Sequence, residues 1–192
     1  MDKYQISRES LVTVTLVIEG ILLLVSAIWV LTSGFDLRSS FHLNLRFTMY
    51  GIGAGLVTVL VGFALLAIST KMQSVKPIAD VRAVVLNDLA PMFAQLTLTD
   101  IVLISISSSF CEEVFYRGML QNILDIPRAS LIFGAMHCPS LAMIPYAFIT
   151  FLAGAFLGWL YQFTGSLFPP IFAHFLNNLL VMLFFKYRKT AK

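Results

Sequence analysis

The sequence predicts an all-α integral membrane protein: a bundle of about six transmembrane elements plus one amphipathic helix in the interface. Three observations carry that expectation. Of 192 residues, 58% are hydrophobic and only 12% charged, where an ordinary soluble domain has about 25% charged. Mean hydropathy is +0.87. The apolar residues are also gathered into runs near the roughly 20 residues that a helix needs to cross the hydrocarbon core. The length suits one domain over residues 1–192, with a motif-bearing core at about 99–185.

The first run, about Leu11 to Thr32, is long enough to span and has Glu19 as its only charge. It is too long for a signal-peptide core and lacks a clear cleavage site, so it is expected to be a retained helix. Ser33 to Arg46 is polar enough for a loop. The second span, about Phe47 to Thr70, opens on Gly51, Gly53 and Gly55, a small-residue face for close helix approach. Lys71 to Leu98 mixes charges with Val84, Leu86, Leu89 and Phe93 and reads as the interfacial helix, interrupted at Pro91.

The third span, about Thr99 to Leu124, carries a charged cluster. Ala129 to His137 is too short to span straight and is expected to extend into its neighbour or enter part-way. Leu141 to Phe163 has a Gly154-x-x-x-Gly158 face, and Leu167 to Phe185 is entered through Pro169 and Pro170.

The formal net charge is +3, and most basic residues lie outside the apolar runs. Their expected partner is the membrane surface, not nucleic acid. Lys3, Arg8, the Lys71 to Arg82 segment and the tail at Lys186, Arg188, Lys189 and Lys192 fall on one side. The positive-inside rule makes that side, with both termini, cytoplasmic; Arg38 and Arg46 lie opposite. Two cysteines, Cys111 and Cys138, imply no disulfide framework.

Polar chemistry at helical spacing inside apolar runs is the functional signal, since a charge at bilayer depth costs at least ~2.5–3.5 kcal/mol. In Glu112-Glu113-Val114-Phe115-Tyr116-Arg117, Glu113 and Arg117 are four apart and suit an ion pair. Glu112 points about 100° away and has no such partner. It suits a general base or acid, although all three residues also suit a packing network between helices. His137 ends Phe133-Gly134-Ala135-Met136-His137 and is either a catalytic group or a satisfied interfacial side chain. His174 and Asn178 share a helical face and form either an oxyanion site or polar glue between helices.

Taken in order on successive segments, Glu-Glu-x-x-x-Arg, Phe-x-x-x-His and His-x-x-x-Asn closely resemble the CPBP family of intramembrane endopeptidases, the CAAX-prenyl protease, bacteriocin-processing or abortive-infection family. The likeness covers about Thr99 to Phe185, with all three motifs intact. It implies that Glu112 and His137 activate a water, that His174 and Asn178 stabilise the oxyanion, and that Glu113 and Arg117 support them. It also implies glutamic-type hydrolysis without a cofactor. Zinc held by Glu112, His137 and His174 is the alternative, disfavoured because the His-Glu-x-x-His helix is missing.

The expected substrate is a membrane-anchored protein or peptide cut during leader or C-terminal sorting-tail processing, in a bacterial or archaeal cytoplasmic membrane. Rival readings are a non-catalytic immunity or interaction protein on the same scaffold and a haem carrier using His137 and His174. A Cys-His nucleophile at Cys111 or Cys138, or a serine among Ser105, Ser107, Ser108 and Ser109, ranks lower. Glu19 is an acid without an assigned task.

Overall fold

The structure is a computed structural model that describes residues 6–188, and these form helices and turns without a strand. Lys3, Lys189 and Lys192 lie outside the described residues. Helix α1, Arg8–Ser33, starts where the Ser7 side chain accepts a hydrogen bond from the Ser10 amide and stops at Gly34. With φ +71°, Gly34 occupies left-handed space that a Cβ disfavours. Helix α2, Leu45–Ser69, is capped by Asn44. Helix α3, Lys76–Ala94, bends away by 118° from α4, Leu98–Ile123, which begins on a reciprocal Thr97–Asp100 capping box. Helix α5, Ile126–Met136, is short and capped by Asp125. Helices α6, Ile144–Thr164, and α7, Phe168–Tyr187, both carry proline in the first turn, where no N–H is needed.

Four helices, including α1, α2, α7 and a unit reaching Leu141–Thr164, are long and apolar enough to cross a membrane, and the bent α3–α4 pair raises the number to five. The chain is therefore a multi-pass membrane protein, and the expected six elements approximate this arrangement. The difference lies in α5, which is too short, and in α4, which is interrupted by the charges that make it interesting.

Pro91 does not break α3. The helix widens into a π turn at Val84–Leu89, and Pro91 then sits in the first turn of a fresh α segment, Ala90–Ala94.

Helix α7 is the central post. It packs along α2 on one side and against α4 on another, while α1 lies on α4 and α5 on α6. Gly51 and Gly55 of α2 face it so closely that a Cβ would come within 2.8 Å of the Pro169 carbonyl and 3.0 Å of the Ala173 carbonyl. Gly53, expected on the same face, has nothing within 4 Å of its would-be Cβ and is no part of the contact. A two-residue step turns a helix by about 200°, which carries Gly53 to the far side.

Candidate active site

Two ends of the bundle can be told apart by contacts. At one, Arg8 grips Asp100 through two hydrogen bonds of 2.6 and 2.9 Å, and Lys186 donates to the Leu96 carbonyl. At the other, the Leu167 amide donates to the Ser40 carbonyl and the Ser166 hydroxyl to the His42 carbonyl. Helices α1 and α4 thus leave the Arg8 end together, and α7 runs back towards it.

Counting inward from that end, Glu19 lies eleven residues beyond Arg8, Glu112 twelve beyond Asp100, and His174 twelve before Lys186. At ~1.5 Å per residue all three sit about 17–18 Å deep, near the middle of a hydrocarbon core ~30 Å thick. Helix α5 enters from the opposite end, beside Gln121 and Asn122. Its eleven residues cover about 17 Å, so it stops at the same level. The element too short to span delivers His137 to mid-depth.

The polar groups meet there. Glu113 is fully buried and Arg117 is 2% exposed. One oxygen, Glu113 Oε1, takes hydrogen bonds from Arg117 Nη1 at 2.9 Å and from His174 Nδ1 at 2.8 Å. Arg117 Nη2 donates at 2.9 Å to the Gly154 carbonyl of α6. Gly154 also leaves room for Phe133, whose ring would lie 2.9 Å from an added Cβ. Immediately after Glu113 the helix opens into a π turn, Val114–Leu120, a distortion often found at functional sites.

Glu112 faces a different environment. Its side chain is 14% exposed, and its Oε2 lies 3.9 Å from His174 Nε2, beyond direct hydrogen-bond range. Glu19 sits at the same level on helix α1, which packs along α4, and is only 4% exposed. One carboxyl oxygen of each of Glu19, Glu112 and Glu113 is buried without a hydrogen-bond partner among the described residues.

The hydrogen-bond partners also set the imidazoles. His137 Nδ1 lies 2.8 Å from the Phe133 carbonyl, which can only accept, and His174 Nδ1 faces a carboxylate. Both Nδ1 atoms are therefore assigned the hydrogen, leaving both Nε2 atoms for other work. The Phe133 ring packs against both imidazoles, at 4.7 and 6.2 Å between centroids, and under the Arg117 guanidinium at 4.8 Å. Asn178 donates to Ser108 Oγ at 2.8 Å, one turn before Glu112.

Glu112, Glu113, Arg117 and His174 are therefore in direct or near contact, His137 joins them through Phe133, and Asn178 sits one turn away. Two features go beyond the motif spacing: the Glu113–His174 bond and the burial of Glu19 at the level of Glu112. Glu19 did carry a signal, as the lone acid of an apolar run. Three of the low-ranked nucleophiles are tied to backbone carbonyls. Cys138 Sγ bonds to the Ser140 carbonyl, while Ser107 and Ser109 bond back to helix carbonyls.

Residues 94–180 match the family model described as type II CAAX prenyl endopeptidase Rce1-like. The chain is also 36% identical over 89 residues to the uncharacterized protein YpbD of Bacillus subtilis strain 168, a match covering 44% of this chain and 45% of that one. The chain thus spans less than half the length of this curated relative. No solved structure matches the chain. Glu112, Glu113, Arg117, His137, His174 and Asn178 all fall inside the stretch that is similar to this Rce1-like model.

Proposed function

We propose that this chain is a glutamic-type intramembrane endopeptidase that hydrolyses a peptide bond of a membrane-associated protein or peptide. The observation that carries the reading is the contrast between the two glutamates. Glu113 spends one oxygen on Arg117 and His174, whereas Glu112 is partly open, with an unpartnered oxygen turned to His174 Nε2.

In this reading Glu112 takes a proton from a water while the water oxygen attacks the scissile carbonyl carbon. His137, its Nδ1–H tied to Phe133, accepts from the same water through Nε2. His174, flanked by carboxylates on both nitrogens, acts as the imidazolium and donates with Asn178 to the oxyanion. Glu112 then returns the proton to the leaving amine as the C–N bond breaks, and no covalent enzyme intermediate forms. The Glu113–Arg117 pair fixes the ring of His174.

The reading is metal-free. Among the described residues no three His, Cys, Asp or Glu side chains form a group able to hold one ion, so no step is routed through zinc. Purified enzyme should keep its activity in excess chelator, and loss restored specifically by zinc would reverse this point. Phe133 packed against both imidazoles argues against a haem between them.

Mid-depth chemistry suits a substrate that is itself embedded, processed at a leader or a C-terminal sorting tail. We place the Arg8 end in the cytoplasm of a bacterial or archaeal cell, because Arg8, Lys71, Lys76, Arg82 and Lys186 gather there.

The decisive experiment compares membrane proteomes of a strain lacking the chain, complemented with wild type or with Glu112→Gln. Wild type should clear a precursor that accumulates in the null strain. Glu112→Gln should slow clearance by ~10²–10⁴-fold at equal expression, and normal clearance by that variant would defeat the proposal.

A further inference from the structure

The family match begins at residue 94, so α1 lies wholly outside it, yet α1 brings a carboxyl to the site. Glu19 is 4% exposed on a helix otherwise apolar at that depth, and its Oε2 has no hydrogen-bond partner. Keeping an acid there is unfavourable for insertion, so packing alone gives no reason for it.

The titratable groups level with Glu19 are Cys111 and Glu112 on the packed helix α4 and His174 on α7. None is a fixed cation. Arg117, the guanidinium of the site, is engaged by Glu113 and the Gly154 carbonyl. Two carboxyls brought level on packed helices in a low-dielectric setting repel as a doubly charged pair and attract when one proton lies between them. The Arg8–Asp100 pair sets α1 and α4 in parallel and brings Glu19 level with Glu112.

We propose that Glu19 is a positioning residue of the active centre, its carboxyl joined to that of Glu112 by a hydrogen bond through one shared proton. The inference rests on the reading of Glu112 as the base. Glu112 has no partner on its own helix to fix its rotamer. A bond from Glu19 holds one oxygen of Glu112 and leaves the other directed at His174 and the water. Helix α1 becomes a component of the site beyond its place in the scaffold.

The test uses full-length chain in two arms. In the first, wild type, Glu19→Gln and Glu19→Leu clear the accumulating precursor in the complemented strain. Glu19→Gln keeps a donor of the same shape and should stay within about threefold of wild type, whereas Glu19→Leu should be about a hundredfold slower at equal abundance and thermal stability. A purely structural acid predicts no loss, because leucine suits an apolar helix at least as well. Wild-type clearance by Glu19→Leu overturns the inference.

The second arm needs no turnover. Dicyclohexylcarbodiimide, an apolar reagent for protonated carboxyls, should label the Glu19–Glu112 pair in purified wild type, and mass spectrometry should show the label lost from both positions in Glu19→Gln. An unlabelled pair, or unchanged labelling of Glu112 in Glu19→Gln, also overturns it. Failure of the catalytic reading looks different, because Glu112→Gln would then clear precursor normally while labelling still reports on the pair.

Discussion

Helix α7 is held on two sides by different physics. Towards α2 the contact is backbone on backbone, with Gly51 and Gly55 seated against Pro169, Ala173 and Leu176. Towards α4 it is polar, with His174 bonded to Glu113 and Asn178 to Ser108. Lipid tails are as apolar as leucine, so association in a membrane draws on close packing and on hydrogen bonds. The glycine seam sets how deep and how rotated α7 lies. The polar seam uses that placement for chemistry. The comparison teaches that a site of this kind depends on a contact containing no functional group.

The largest effect on stability is expected where the polar seam is broken on one side only. Arg117→Leu strips Glu113 of its guanidinium in a fully buried position and frees the Gly154 carbonyl. Removing one partner of a buried pair destabilises by ~3–5 kcal/mol, measurable as a lower unfolding midpoint in detergent. Unchanged stability would mean that His174 alone satisfies Glu113.

A smaller effect is expected from the glycine seam. In Gly55→Ala the new Cβ meets the α7 backbone at 3.0–3.1 Å, and such overpacking costs ~1–3 kcal/mol. Clearance should fall with it, because His174 moves with the helix. Gly53→Ala, two residues away with open space, should change stability by no more than ~0.5 kcal/mol. Equal behaviour of the two variants would remove the glycine seam from the account.

Much of this was legible in the residues. Local periodicity marks the spans, and the four-residue step from Glu113 to Arg117 is a property of any helix, so that contact follows from spacing alone. The motif order was likewise visible, as was the part-way entry open to the Ala129 to His137 stretch. What stayed hidden involved relations between helices. Pro91 was read as an interruption because the compensating π turn leaves no sequence signature, and Gly53 was grouped with its neighbours because composition ignores which face a residue takes.

Glu19 and Glu113 draw that boundary most sharply. The sequence by itself determined that both are acids at membrane depth, that Arg117 lies one turn from Glu113, and that nothing on α1 answers Glu19. Only the tertiary structure decided that Glu113 also holds His174 and that Glu19 is buried at the level of Glu112. Those contacts depend on the relative depth and rotation of α1, α4 and α7, set by the Arg8–Asp100 pair and the glycine seam. A hydrophobic run specifies that a helix crosses the membrane but leaves it free to slide and turn until its neighbours lock it.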